Sequence, residues 1–391
     1  MSSGTVGIDR HADEATDLQS FYDVRRSYED NYREGPFGAF ADVANFATKH
    51  PADGAYGADK TAPTPYDFLG QQLRTPFGIP AGPLLNSAFT DAAFDMGFDI
   101  CVYKTVRSRA WECNPFPNVL AVHPKSSDGF LEPGGLESEE GVLADDRYER
   151  PISISNSFGV PSRDPDVWQP DMQRAMSHAG IGQLLIGSFQ GSRVSGMDTK
   201  GYIQDHVDTA SLLAETGVKV IEMNTSCPNE GKHRLLCDDP ALVGRICEAV
   251  KNRIGDIPLI VKLAYIPDDR FLDRLVEATV AHGVVQGLAT INTISARLVD
   301  SQGRQALPGE GRDRSGVCGN AIRPSGLDMV ARLDAMRSLR DLDFSIVGVG
   351  GVLDAEDFAE YRRAGSDAVM SATGAMWDPM LGRRVANALG R

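Results

Sequence analysis

Residues 345–374 read SIVGVGGVLDAEDFAEYRRAGSDAVMSATG. The runs 345–349 and 368–371 are short, rich in Val and Ile, and do not alternate cleanly with polar residues. That is the pattern of parallel strands buried on both faces. Between them lies a helix-length segment, 355–364. Asp354 precedes it and Gly365 follows Ala364, as helix caps require. The unit is strand, helix, strand, and both strands run out into small residues: Gly350-Gly351 and Ala372-Thr373-Gly374.

The same rhythm extends back to about Pro76. Further strand candidates are 77–80, 100–104, 184–188, 219–223, 259–263 and 287–291, and helix candidates are 88–96, 166–178, 202–215, 240–254, 268–282, 324–340 and 379–389. Eight strands alternating with eight helices predict an α/β fold, a (β/α)8 TIM barrel. The rival is a doubly wound sheet, which opens its first helix with G-x-G-x-x-G; here that position reads Pro80-Ala81-Gly82-Pro83. Residues 1–70 are polar and weakly periodic, and read as an N-terminal extension packed on the barrel domain, 71–391, with 17–32 as one amphipathic helix. The stretch 106–151 is too long for an ordinary loop and reads as an enlarged excursion over the barrel mouth, after the second strand.

The 391 residues carry 39 Lys and Arg against 54 Asp and Glu, a net charge of −15. Nucleic-acid binding rests on clustered cations, so this balance argues against it. No apolar run reaches the ~18–20 residues that span a bilayer, and the N-terminus lacks the pattern of a signal peptide. The cytoplasm is the expected location. The six cysteines form no C-x-x-C pair, so neither a zinc site nor an iron–sulfur cluster is expected.

Barrel enzymes place their chemistry at the C-terminal strand ends. The residues there are Ala81 and Gly82 after the first strand, Lys104-Thr105 on the second, and Asn156-Ser157-Phe158-Gly159 beyond the excursion. The fourth strand gives Asn224-Thr225-Ser226-Cys227-Pro228-Asn229. Lys262 lies in the fifth, and Ile291-Asn292-Thr293 ends the sixth. Four asparagines and two lysines converge on one face. Amide side chains suit a heterocycle with alternating C=O and N–H groups, a pyrimidine or a flavin. Lysines suit a carboxylate or the anionic edge of a reduced flavin. Taken singly, Lys104 also reads as a solvated strand end, Asn156 as a turn residue, and Gly350-Gly351 as a structural turn. Cys101, Cys237, Cys247 and Cys318 read as packing thiols, and Cys113, in the excursion, reads the same way. Cys227, between Ser226 and Pro228 on a strand's catalytic end, is poorly placed for packing; near positive charge its thiol becomes a thiolate base.

Residues 222–229, EMNTSCPN, resemble the N-x-S-C-P-N signature of class 1 dihydroorotate dehydrogenases. Supporting pieces fall in family order over roughly 76–391: Tyr103-Lys104-Thr105, Asn114-Pro115-Phe116-Pro117, residues 155–161 (SNSFGVP), Val261-Lys262-Leu263, Asn292-Thr293, residues 319–324 (GNAIRP) and the two Gly-containing turns. The resemblance implies a flavin mononucleotide (FMN) enzyme that oxidises (S)-dihydroorotate to orotate. Cys227 would remove the C5 proton while hydride passes from C6 to flavin N5. Asn156, Ser157, Phe158, Gly159, Asn224, Asn229, Asn292 and Thr293 would hold the substrate, with Lys104 touching both substrate and flavin. Ala81, Gly82, Thr105, Asn224 and Ile291 would adjoin the cofactor, Lys262 would sit at its N1 edge, and Gly319, Gly350, Gly351, Ala372 and Thr373 would surround its phosphate. The expected assembly is a homodimer, with or without an electron-transfer subunit; no metal is implied.

Class 2 members use serine as the base, so Cys227 favours class 1. The chain departs from class 1 in its 70 leading residues, in the enlarged excursion, and in Ala372-Thr373 where the family has Gly-Thr. The nearest rival enzyme is a dihydropyrimidine dehydrogenase-like flavin subunit acting on uracil or thymine. It shares the S-C-P cysteine, but Asn229, Asn156 and Ser157 favour a carboxylated substrate. A non-catalytic flavin-binding barrel is the remaining reading, against which Cys227 and four amides argue.

Overall fold

The structure, a computed structural model, describes residues 20–49, 63–226 and 235–390. Eight parallel strands close on themselves: β1 (Phe77–Ile79), β2 (Ile100–Val106), β3 (Leu184–Phe189), β4 (Ile221–Asn224), β5 (Leu259–Leu263), β6 (Gly287–Thr290), β7 (Ser345–Val349) and β8 (Ala368–Met370). Neighbours in the ring follow chain order, and β8 pairs β1. Helices cover the outside: α1 (Ser87–Asp95), α2 (Pro165–His178), α3 (Thr199–Glu215), α4 (Pro240–Ile254), α5 (Asp269–Thr279), α6 (Arg323–Arg340), α7 (Ala355–Arg363) and α8 (Leu381–Ala388). Their starts follow from local chemistry. The side chains of Asn86, Asp164, Asp198, Asp239, Asp268 and Asp354 each accept a backbone N–H in the first turn.

The barrel interior grades from apolar to polar along the strands. Ile100, Val102, Leu184, Ile186, Val220 and Ile260 fill its lower layers. A hairpin, Tyr66–Phe68 and Gln71–Leu73, contributes Phe68 and Leu73 to the same cluster and so plugs the lower end. Continuing the period of two along β2, β3, β4 and β5 brings Lys104, Ser188, Glu222 and Lys262 to the upper layer. The pairing of β2 with β3 shifts register between Tyr103 and Val106. Such a bulge re-aims side chains, and here both Lys104 and Thr105 reach the cavity above.

Three expectations change. The 106–151 excursion does not fold alone. Its strands Ala121–His123 and Val142–Asp145, together with Ser153–Asn156, join Ile294–Val299 and Arg314–Gly319 from a second insertion after β6 to close a five-stranded barrel. That insertion carries its own alternation in Ile294–Val299, where Ile294, Ala296 and Leu298 are buried and Ser295 and Arg297 exposed. The division at 70/71 falls in the turn of the hairpin, Leu69-Gly70, not between elements. Over 17–32, the helix in the described residues is Tyr28–Glu34, because Ser27 accepts the Asp30 N–H and starts it late. The described part of the extension packs on the barrel: Phe21 N–H donates to Met376 O at 3.0 Å, and Asn86 Nδ2 donates to Tyr32 O at 2.9 Å.

Candidate active site

A cavity enclosing about 1310 Å³, counting its open mouth, lies over the C-terminal strand ends. It is lined by Ala81, Gly82, Lys104, Thr105, Asn156, Ser157, Phe158, Gly159, Asn224, Lys262, Asn292, Thr293, Ala372 and Thr373, all named from the sequence. A smaller hollow adjoins it, walled by Gly319, Gly350, Gly351, Ala372 and Thr373. Ile291 is fully buried behind this surface and lines neither. Cys227 and Asn229 lie outside the described residues.

Hydrogen bonds set the amides. Asn224 Nδ2 donates to Gln190 Oε1 at 2.9 Å, and its Oδ1 accepts from Ser226 N and Oγ at 3.2 and 3.0 Å. Asn292 Nδ2 donates to Ser226 Oγ at 2.9 Å, and Thr225 Oγ1 donates to Lys262 O at 2.7 Å. The chain leading into Cys227 is thus tied to β5 and β6. The 156–159 loop is held by Asn118 Nδ2 on Ser157 O at 3.1 Å and by Arg312, which donates to Ser157 Oγ and O and to Pro115 O, Pro117 O and Pro308 O. Gly159 has φ +78°, and a Cβ there would come 2.8 Å from Asn114 Oδ1, so only glycine lets the loop pass this close.

The electrostatics are one-sided. The charged residues lining the cavity are Lys104, Lys262, Arg312 and Arg314; among the described lining residues none is Asp or Glu. Arg314 is neutralised by Glu139 at 2.9 and 3.0 Å. Arg312 is buried, bonded to carbonyls and a hydroxyl, and makes no ion pair within 4.0 Å among the described residues. Beneath the cavity floor, Glu222 accepts from Ser188 Oγ at 3.2 Å, and Ser188 Oγ lies 3.0 Å from Thr105 Oγ1. Burial raises the Glu222 pKa and Lys262 opposes the rise; burial lowers the Lys262 pKa and Glu222 opposes the fall.

Several lining residues were not named from the sequence. Glu222, which lies beneath the floor and does not line the cavity, stands two residues before Asn224 on the same strand face, so strand alternation could have found it. Cys318, read as packing, packs on the core and also lines the cavity beside Lys262; burial pushes its pKa up to about 11 and keeps it protonated. Arg312 and Tyr22 carried no local signal. Cys101, Cys237 and Cys247 are fully buried packing thiols. Among the described residues no three His, Cys, Asp or Glu side chains gather as a metal site, and no helix is long and apolar enough to cross a membrane.

A closed parallel barrel with an amide- and cation-lined cavity at its C-terminal face has the architecture of a barrel enzyme. The chain belongs to the dihydroorotate dehydrogenase family, oxidoreductases acting on CH–CH bonds: the family profile matches residues 65–391. It is 34% identical to a dihydroorotate dehydrogenase of Dictyostelium discoideum over 372 residues, 92% of this chain and 95% of that one. A dihydroorotate dehydrogenase A (fumarate) of Limosilactobacillus reuteri is 34% identical over 190 residues, 48% of this chain and 58% of that protein. The catalytic subunit of a dihydroorotate dehydrogenase B (NAD(+)) of Solidesulfovibrio magneticus is 34% identical over 179 residues, 46% and 55% of the respective lengths.

Proposed function

We propose that this chain oxidises (S)-dihydroorotate to orotate with flavin mononucleotide, and that Cys227 is the base. The observation that carries this is the lining of the cavity: amides on three strand or loop ends, Lys104, Lys262 and Arg312 as cations, and no described carboxylate. A pyrimidine carrying a carboxylate meets both needs. A neutral dihydropyrimidine would use the amides and leave the positive potential of the cavity unused.

The residues fit the flavin. Gly319, Gly350 and Gly351 wall the smaller hollow with backbone, and the chain is closely packed there: a Cβ on Gly351, at φ +71°, would lie 2.6 Å from Arg323 Cβ and 2.9 Å from Gly319 O. Gly319, Gly350, Gly351, Ala372 and Thr373 would hold the phosphate, and Ala81, Gly82, Thr105 and Lys262 the ring system. When bound, flavin mononucleotide supplies the acceptor for the hydride that leaves C6.

The chain's own residues perform the rest. Asn156, Asn224, Asn292 and Thr293, with Asn229, orient the pyrimidine so that its C5–H faces Cys227. The Cys227 thiolate takes that proton, which the adjacent carbonyl acidifies. Lys104 and Lys262 stabilise charge that develops on the ring edges. Ser226, fixed by Asn224 and Asn292, anchors the chain immediately ahead of Cys227.

The test is Cys227→Ala in the flavin-loaded chain. Retained flavin, with reduction by dihydroorotate slowed on the order of 10²–10⁴-fold, is the expected outcome for loss of a general base. Unchanged reduction rates would remove the base assignment, and an unaltered chain that makes no orotate from dihydroorotate would remove the function.

A further inference from the structure

The segment ahead of the barrel brings one aromatic residue into the cavity. Tyr22 lines it together with Lys104, Asn156 and Phe158, and is only 2% exposed. Its hydroxyl is buried and has no hydrogen-bond partner among the described residues. A buried phenol normally finds an acceptor, because leaving it unmade costs the desolvation of the group. The hydroxyl is closed off in the cavity, and a ligand oxygen that reaches it would supply the missing acceptor.

Tyr22 is also rigidly placed. Phe21 N–H bonds Met376 O, Phe37 N–H bonds Phe21 O at 2.9 Å, and Tyr22 N–H bonds Ser20 Oγ at 3.2 Å. The Phe21 ring packs on Phe40 with centroids 4.5 Å apart. The Tyr22 ring meets Phe158 edge to face, 5.6 Å between centroids at 89°. Phe158 lies in the 156–159 loop that lines the same cavity, so the phenol and this loop are one wall. Burial pushes the Tyr22 pKa well above that of a free phenol, and the group stays a neutral donor throughout the working pH range.

We infer that Tyr22 is a specificity-determining residue of this site: its O–H donates a hydrogen bond to an oxygen of the bound heterocyclic acid, and residues 20–41 are thereby part of the substrate's binding site. This rests on the reading of the substrate as dihydroorotate. An N-terminal segment that holds Tyr22 on the 156–159 loop favours a ligand with a polar atom on that side over one that presents a methyl group there.

The experiment is orotate binding to the full, flavin-loaded chain, followed by the change in flavin absorbance, for the unaltered protein and Tyr22→Phe. The substitution removes an unpartnered hydroxyl and keeps the ring on Phe158, so thermal unfolding should match the parent. The orotate dissociation constant should rise about 2–13-fold, the range for one lost hydrogen bond, with flavin affinity and midpoint potential unchanged. An unchanged orotate constant in the folded variant overturns the assignment. A shift in flavin affinity or potential without a shift in orotate binding also overturns it, since the hydroxyl then serves the cofactor. If the unaltered chain shows no response to orotate, the substrate reading itself falls, and the assignment with it.

Discussion

Glu222 and Lys262 show how much chemistry rests on two buried side chains. Both lie within the barrel, 1% and 3% exposed, on neighbouring strands whose register places Asn224 opposite Lys262. Each holds the other nearer its charged form against the pull of burial. Removing one charge leaves the other uncompensated. Glu222→Gln should therefore destabilise the flavin-free protein by on the order of 2–3 kcal/mol, below the full cost of breaking a contact pair because no ion pair closes between them within 4.0 Å. Urea unfolding checks this, and an unchanged midpoint would contradict it. At this scale the sequence was most informative where a polar residue interrupts an apolar strand. Lys262 between Val261 and Leu263 announced itself, as did the asparagines at strand ends. Tyr22 did not, because its place depends on Phe21 reaching Met376, some 355 positions along the chain. Arg312 was silent for the same reason: its acceptors come from 115–117, 157 and 308.

Among the elements, α3 carries a group with a measurable pH signature. His206 is fully buried on it; Nδ1 lies 2.9 Å from Tyr202 O, which assigns the N–H to Nδ1, and the ring sits edge-on to Tyr202 and Phe189. Burial lowers its pKa to about 3. The unfolded chain binds this proton near pH 6.5 and the folded chain does not, so stability is complete above about 6.5 and falls as pH drops toward 3. Between pH 6.5 and 5 this one group should remove roughly 2 kcal/mol. His206→Gln should flatten that part of the stability profile, measured by denaturant unfolding across the range; an identical slope would contradict the assignment. Element types on the barrel were legible because each strand and helix is local and capped. The five-stranded barrel was not. Its sheet joins 121–156 to 294–319, and neither segment marks which distant strand it pairs with. The alternation of Ile294–Val299 was the available clue.

For the whole molecule the telling contrast is between a chain of net charge −15 and a cavity whose described lining holds cations and no acid. An acidic surface does not attract an anion, so the selectivity for one that we propose rests on the cavity walls, where Lys262, Lys104 and Arg312 are buried. The two barrels and the leading segment meet at this cavity: strand ends form the floor, the 153–156 strand and the 294–319 insertion form one side, and Tyr22 closes another. Which ring the cavity accepts separates the proposed substrate from its uncarboxylated analogue. Anaerobic mixing of the yellow, flavin-loaded chain with dihydroorotate, and separately with dihydrouracil, reads this directly. Bleaching by dihydroorotate and not by dihydrouracil is the predicted result; bleaching by dihydrouracil alone would contradict it.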